Sequence, residues 1–166
     1  MNLEALNALG DERAFEELVK CCGSSRWARA MAARRPFPST DALLREAEAA
    51  FETLGRSDWL EAFAAHPRIG DRLESSGGTT ASWSAAEQAG VGAASRARFE
   101  RRNRDYEARF GHTFIVCATG RTGDEMLTIL EQRMLNNPED ELRQAAREQQ
   151  QITRLRLAKL VGRLHP

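Results

Sequence analysis

Alanine is far more frequent in this chain than the residues that favour β-sheet. The 166 residues include 26 alanines, whereas valine and isoleucine together occur eight times. Helices accept alanine more readily than any other residue, and sheet interiors are built largely from β-branched side chains. The composition therefore predicts an all-α protein.

Caps and helix breakers divide the chain into about seven to nine predicted helices. The clearest start signal is Asn137 followed by Pro138 and two acidic residues, which opens the last helix. Residues 113–118, with the sequence TFIVCA, form the one strand-like apolar run, and we interpret them as a short, buried, extended connector. No internal repeat or linker divides the chain, so residues 1–166 are predicted to form one compact helical domain.

Charge and cysteine content exclude several classes of protein. The 24 basic and 24 acidic residues give a formal net charge of +0, which excludes a strongly polycationic protein. No run approaches the roughly 18 apolar residues that cross a bilayer, and the acidic N-terminus is unlike a signal peptide. The odd set of Cys21, Cys22 and Cys117 fits a reducing compartment and lacks zinc-ligand spacing. We therefore expect a cytoplasmic protein with no membrane partner and no metal ion.

His66 and Pro67 lie at the predicted end of a short helix, which Asp58 and Glu61 would start as a capping box. Proline pushes the residue before it out of the α region, so this helix should end near His66. An imidazole held at a helix end can face a cleft and exchange protons near neutral pH. A histidine that interacts with the helix dipole, followed by a proline stop signal, fits the same pattern. The spacing alone leaves both interpretations open.

Ser84, Glu87 and Gln88 allow two interpretations as well. Ser84 and Glu87 have the spacing of a capping box, which satisfies free amides of the first helical turn and needs no further role. Alternatively, a carboxylate and an amide at the positive end of a helix could hold a polar ring with imide-like donors and acceptors.

The last helix places a charged residue on its apolar side. At 100° per residue, Gln149 and Arg156 fall on the same stripe as the apolar residues that begin with Leu142, while Arg154 lies on the opposite side. A guanidinium on an apolar stripe needs an anion or several acceptors, because burying it alone is very costly. Arg156 therefore either pairs with a structural carboxylate or binds an anionic ligand.

An arginine-rich segment precedes the apolar connector. Its basic residues are Arg96, Arg98, Arg101, Arg102 and Arg104. Such a strip could contact nucleic acid, and binding would then weaken steeply with salt. Acidic residues are interspersed with the arginines, which favours a solvated helix face.

Four motifs occur in an order that resembles the OHCU decarboxylase family, whose substrate is 2-oxo-4-hydroxy-4-carboxy-5-ureidoimidazoline (OHCU), an intermediate between urate and allantoin. They are HPRIGD at 66–71, SxxEQ at 84–88, RFG at 109–111 with FIVCATGR at 114–121, and QITRLRL at 151–157. The resemblance extends over nearly the whole chain. It implies an all-α, cofactor-free enzyme that acts on a small molecule and commonly forms a homodimer, with no nucleic-acid partner.

The resemblance also implies a reaction centre at His66 and Glu87. His66 would contact the hydroxyl and carboxylate region of the substrate and act in proton transfer. Glu87 would hydrogen-bond the ring and share that proton, and Pro67 would form an apolar wall. The substrate carboxylate lies on a carbon beside a ring C=N bond that can accept the electrons released with carbon dioxide, so no cofactor is expected.

Further residues are implied to bind the substrate around these catalytic groups. Ser84 and Gln88 would hold its ureido and carbonyl groups, and Arg156 would bind a substrate oxygen. Backbone groups of Ile115 and Val116 would line the pocket. Two other functions remain open, namely a helical protein that binds allantoin-like ligands without turnover and an arginine-rich nucleic-acid-binding module.

Overall fold

The computed structural model describes residues 1–69 and 93–162, with the backbone alone for 93–96, and this part of the chain is all-α. The described helices are α1 (Leu3–Ala8), α2 (Asp11–Cys22), α3 (Ser25–Ala33), α4 (Thr40–Glu52), α5 (Arg56–Ala64), α6 (Ala93–Phe110), α7 (Gly123–Arg133) and α8 (Pro138–Leu160). The prediction of an all-α fold is confirmed, and the eight described helices fall within the predicted number.

The chain separates into two compact units. The first contains residues 1–62 and the chain from Gln149 onward. Within it α2 packs on α3 and α3 packs on α4. Its largest fully buried side chains are Leu6, Leu18, Trp27, Met31, Leu43 and Leu157. The indole N–H of Trp27 donates to the carbonyl of Ala47 at 3.0 Å, so this large side chain is buried without an unsatisfied donor.

The second unit contains the described residues between Phe63 and Glu148, and α6 packs on α7 within it. Its apolar core comprises Ile69, Phe99, Tyr106, Phe110, Phe114, Val116, Ala118, Met126, Leu127 and Leu130. Tyr106 lies between two aromatic neighbours, with ring centroids 4.7 Å from Phe110 and 5.2 Å from Phe114. The boundaries between the units fall inside α5 and α8. A single domain over residues 1–166 stays a prediction.

The apolar run before α7 is a buried connector between two helices, as predicted. Residues 113–118 adopt neither helix nor strand, and Phe114 to Ala118 are all buried. Gly111 ends α6 with a φ of 75°, a conformation that favours glycine. The connector therefore crosses the core of the second unit without a sheet neighbour in the described residues to satisfy its peptide groups.

The predicted capping box of α5 is wrong. The helix begins at Arg56, and the Asp58 carboxylate accepts a hydrogen bond from the Gly55 N–H at 2.9 Å. Glu61 instead accepts bonds from the backbone N–H and the hydroxyl of Ser25 at 3.1 and 2.6 Å. A tertiary contact with the start of α3 has replaced the local contact that the spacing suggested. The predicted end of α5 near His66 is confirmed, since the helix ends at Ala64.

Candidate active site

His66 and Pro67 directly follow the last turn of α5. The His66 N–H donates to the Phe63 carbonyl at 3.1 Å, which closes that turn before Pro67 prevents its continuation. Both side chains are half-buried. The backbone of His66 is held at the end of the helix, and the Nε2 atom of its ring is buried. A histidine held in this way can exchange a proton with a ligand that reaches its ring.

The next two residues attach this segment to α6. The Arg68 guanidinium binds Glu107 through two parallel bonds, with Nε at 2.6 Å and Nη2 at 2.7 Å from the carboxylate oxygens. The buried Asn103 donates from Nδ2 to the Ile69 carbonyl at 2.8 Å. Hydrogen bonding to Arg68 lowers the pKa of Glu107, so the carboxylate is ionised at neutral pH. Because Asn103 and Glu107 are four residues apart on one helix, α6 sets the position of the backbone after Pro67.

The buried connector at 113–118 is held by charged side chains. Ile115 and Val116 are 2% and 5% exposed. The Ile115 carbonyl accepts a bond from Arg133 Nη1 at 2.6 Å, and the Cys117 N–H donates to Glu148 Oε2 at 2.8 Å. These bonds satisfy peptide groups that would otherwise lose their hydrogen bonds on burial.

Arg133 belongs to a buried polar network centred on Glu141. Its Nε and Nη2 both donate to Glu141 Oε1, whose carboxylate also accepts bonds from the Tyr106 hydroxyl and from Asn136 Nδ2 at 2.8 Å. The guanidinium carbon lies 4.8 Å from the centre of the Phe114 ring, within reach of a cation–π interaction. Burial raises the pKa of Tyr106, which therefore stays a hydroxyl donor. The network is fully bonded, as a buried charge requires.

Sequence reasoning missed the polar residues that hold these segments. They are Asn103, Tyr106, Glu107, Arg133, Glu141 and Glu148. One signal was available, because Glu141 and Glu148 are seven residues apart and therefore share a face of α8. That face also carries Ala145, which is fully buried.

Arg156 lies in the first unit on the buried side of α8. The predicted stripe is confirmed, since Leu142, Ala146, Gln149, Ile152 and Leu160 are buried and Arg156 is 3% exposed. Its Nη1 is 3.5 Å from the Lys20 carbonyl oxygen at the end of α2. Arg154 is exposed, as predicted, and forms an ion pair with Glu48. The guanidinium of Arg156 is therefore positioned in the interior, whereas that of Arg154 is solvated.

Two buried thiols lie within the electrostatic reach of Arg156. Burial raises the pKa of Cys21 to about 12 and that of Cys22 to about 11, although the charge of Arg156 opposes both shifts. Both side chains therefore remain neutral thiols at physiological pH, and they fill space in the core. Gln149 fixes the backbone nearby by donating from Nε2 to the Cys22 carbonyl at 3.0 Å.

The predicted site residues are distributed over the two units. His66, Pro67, Ile115 and Val116 belong to the second unit, and Arg156 belongs to the first. The remaining three predicted residues, Ser84, Glu87 and Gln88, lie outside the described residues.

Two features of the described residues concern the expected absence of a metal ion and of a membrane partner. Within residues 1–69 and 93–162, no group of three or more His, Cys, Asp or Glu side chains has the arrangement of a metal site. None of the described helices combines the length and the apolar character needed to span a membrane.

Comparison with known proteins identifies a consistent set of relatives. The family model of OHCU decarboxylase matches residues 7–158. The uric acid degradation bifunctional protein TTL of Arabidopsis thaliana is 41% identical over 150 residues, which are 87% of this chain and 46% of that protein. The chain thus spans about half the length of that relative. The 2-oxo-4-hydroxy-4-carboxy-5-ureidoimidazoline decarboxylase of Haloferax volcanii is 29% identical, with 95% of both chains covered.

A solved structure gives the same result for the fold. An OHCU decarboxylase crystallised in the presence of (S)-allantoin superposes with a TM-score of 0.77 and 35% sequence identity. The match covers 93% of this chain and 99% of that one. An (S)-allantoin synthase structure, at 18% identity and a TM-score of 0.72, shares the fold.

Proposed function

This chain belongs to the OHCU decarboxylase family, and on that premise we propose that it converts OHCU to (S)-allantoin, the last step from urate to allantoin. The observation that carries the proposal is the match to the OHCU decarboxylase solved with (S)-allantoin, which covers 99% of that chain at 35% identity. A match that covers nearly the whole of both chains supports the same reaction more directly than a shared fold alone.

The reaction removes carbon dioxide from a carbon that also carries a hydroxyl group. The electron pair of the broken C–C bond forms a C=C bond to the neighbouring imine carbon, and the C=N electrons move onto the ring nitrogen, which takes up a proton. The hydroxyl group then loses its proton and becomes a ring carbonyl, while a proton adds to one face of the former imine carbon. The substrate is its own electron sink, so the residues need to orient the carboxylate, handle the hydroxyl proton and select the face. Face selection distinguishes the enzymatic product, (S)-allantoin, from the racemate that forms spontaneously.

His66 is the proposed proton-transfer group. Its half-buried ring follows the end of α5, and the bonds from Arg68 and Ile69 to α6 stabilise the backbone after it. The resemblance assigns the second catalytic role to Glu87. Pro67 is also half-buried and would supply the apolar wall beside the ring.

Arg156 is proposed to bind a substrate oxygen, with Ser84 and Gln88 holding the ureido and carbonyl groups. The burial of Arg156, which is 3% exposed, supports this role, since the attraction between a guanidinium and an anion is stronger where water is excluded. Ile115 and Val116 are proposed to contribute backbone groups to the pocket.

We propose that the chain works in the cytoplasm as a homodimer. The described cysteines are all free and buried, which suits a reducing compartment. The homodimer is an expectation from the family resemblance, and sedimentation equilibrium of the purified protein tests it directly. A monomer at micromolar concentration would contradict it.

The nucleic-acid alternative is weaker because acidic residues compensate the arginine strip on α6. Arg98 and Arg102 both bond to Glu131, at 2.9 and 3.2 Å. Arg102 also lies 3.6 Å from Asp105. A face with this many ion pairs presents less positive charge to phosphates than the arginine count suggests.

The proposed function is tested by circular dichroism of allantoin formed from freshly generated OHCU, with and without this protein. We expect an optically active (S)-product with the protein and a racemate without it. A racemate in both samples would contradict the proposal. If allantoin nevertheless bound to the protein, the non-catalytic alternative would replace it.

A further inference from the structure

Glu148 is a buried carboxylate whose shortest hydrogen bond is with a backbone N–H group. Its side chain is 7% exposed, and Oε2 accepts a 2.8 Å bond from the Cys117 N–H. Oε1 accepts a longer bond from Gln144 Nε2 at 3.2 Å, and Arg121 Nη1 lies 3.6 Å from Oε2. A buried charge is costly, and a neutral side chain could have satisfied one peptide N–H. The use of a charged group to hold the Cys117 N–H therefore points to a role for this segment beyond connecting α6 to α7.

Arg133 holds the same connector on the other side of Val116. Its Nη1 donates to the Ile115 carbonyl at 2.6 Å, while the buried carboxylate of Glu141 fixes the guanidinium. The peptide groups of Val116 thus lie between two charged anchors that come from α7 and α8. Both anchors are themselves hydrogen-bonded, so they can set the connector to a narrow range of positions.

Val116 itself is bonded differently from its two neighbours. The residue is 5% exposed, yet within residues 1–69 and 93–162 neither its N–H nor its C=O makes a hydrogen bond. More than nine in ten buried peptide groups in proteins have a partner. A buried residue whose own N–H and C=O are both available is complementary to a ligand that offers an adjacent acceptor and donor, such as a cyclic imide or a ureido group.

We infer that Glu148 and Arg133 are positioning residues, which hold the two peptide groups on either side of Val116 so that the Val116 N–H and C=O bind the ring or ureido group of the substrate. The inference rests on the proposed function. Fixing the ring through a rigid peptide would keep one face toward the proton donor, and a displacement of about 1 Å would reduce catalysis strongly.

Two variants of Glu148 distinguish the position of its acceptor oxygen from the effect of its charge. Glu148→Asp keeps the charge but withdraws the acceptor by about 1.5 Å, the length of one C–C bond. Glu148→Gln keeps the acceptor in reach but removes the charge. Glu139→Gln is the matched control, because Glu139 lies on the same helix with a side chain that is 57% exposed.

Steady-state kinetics with fresh OHCU, the optical purity of the product and the melting temperature are measured for all three variants. We expect kcat/KM to fall about 10- to 100-fold in Glu148→Asp. The melting temperature should also fall, because the buried Cys117 N–H loses its acceptor, but the variant should remain folded at the assay temperature. Glu148→Gln should stay within about threefold of the wild type, because a neutral acceptor makes a weaker bond in the same place. Glu139→Gln should equal the wild type.

Three results would overturn the inference while leaving the proposed function intact. They are wild-type kinetics in Glu148→Asp, a loss in Glu148→Gln as large as that in Glu148→Asp, and a loss only in Glu148→Gln. Each would show that the position of the acceptor oxygen is not what matters, and that Glu148 acts through its charge or has no effect on catalysis. A wild-type protein that leaves the decay of OHCU unchanged would instead overturn the proposed function and this inference with it.

Discussion

The polar network beside the connector and the arginine strip of α6 use the same residue types in opposite surroundings. Arg133 and Glu141 have side chains that are 7% and 0% exposed, and their carboxylate–guanidinium contact is closed to water. Arg98 and Glu131 make a contact of similar length, at 2.9 Å, with side chains that are 55% and 32% exposed. In the network every bond replaces one to water, whereas on the strip water competes with each bond. The number of arginines therefore does not indicate how much their ion pairs stabilise the fold, because that depends on how deeply each pair is buried.

The largest effect should come from breaking the buried pair. Arg133→Met removes the cation and leaves Glu141 as an uncompensated buried charge, which costs about 3–5 kcal/mol of unfolding free energy. Denaturant-induced unfolding measures this loss. A change below about 1 kcal/mol would show that Glu141 finds another partner or becomes protonated without cost.

The double variant Arg133→Met, Glu141→Leu is the control for that experiment. Replacing both charges by apolar groups removes the orphaned carboxylate, so a large part of the lost stability should return. If the double variant is as unstable as the single one, the damage comes from lost packing or from the groups that lose their partners, which are the Ile115 carbonyl, the Tyr106 hydroxyl and the Asn136 amide.

Arg156 should give the largest effect on substrate binding. Arg156→Lys keeps the charge but loses the planar pair of donors, so the Michaelis constant for OHCU should rise by at least about tenfold. Arg154→Lys on the exposed side of α8 should leave the Michaelis constant unchanged, because that side chain is 54% exposed. If Arg154→Lys is the damaging variant, the assignment of Arg156 to the pocket is wrong.

The ion pair between Arg68 and Glu107 should contribute an intermediate, pH-dependent effect. Arg68 lowers the pKa of Glu107 from its usual 4.5, so the stabilisation is fully present above pH 4.5 and is lost as the pH falls through the lowered value. The melting temperature of Glu107→Gln should therefore lie below that of the wild type at neutral pH and converge with it in acid. A difference that persists to low pH would assign the effect to packing.

The smallest effect should come from the arginine strip. Arg98→Ala removes an exposed ion pair, so unfolding free energy should change by less than about 1 kcal/mol. Its kinetics with OHCU should equal those of the wild type. The nucleic-acid alternative predicts a different result. The wild type would bind single- or double-stranded nucleic acid with a steep dependence on salt, and Arg98→Ala would weaken that binding.

The local features of this fold could be predicted from the sequence. The low content of β-branched residues predicts helices, Pro67 predicts the end of α5 near His66, and the helical period places Arg156 on the buried side of α8. Each of these depends on the composition of the chain or on the pattern within a single helix, and none requires knowing how the helices pack. The buried connector at 113–118 was predictable for the same reason, since its apolar run is continuous.

The contacts that position the site could not be predicted in this way. Arg68 and Glu107 are 39 residues apart, and Cys117 and Glu148 are 31 apart. Which carboxylate a given arginine meets is decided by the packing of helices, and the spacing of one segment carries no record of it. Glu61 shows the same effect, because the tertiary contact with Ser25 replaced the capping role that its spacing suggested.

The most direct test of the account is the optical activity of allantoin produced by His66→Ala. The wild type and the variant are compared at equal concentration with fresh OHCU, after circular dichroism of the protein has shown that both are folded. A half-buried histidine after the end of a helix contributes little packing, so the variant should fold while its catalytic rate falls about 10²- to 10⁴-fold. The account predicts an (S)-allantoin signal with the wild type and a racemic product with His66→Ala. An equal (S)-signal at an equal rate from the variant would contradict it.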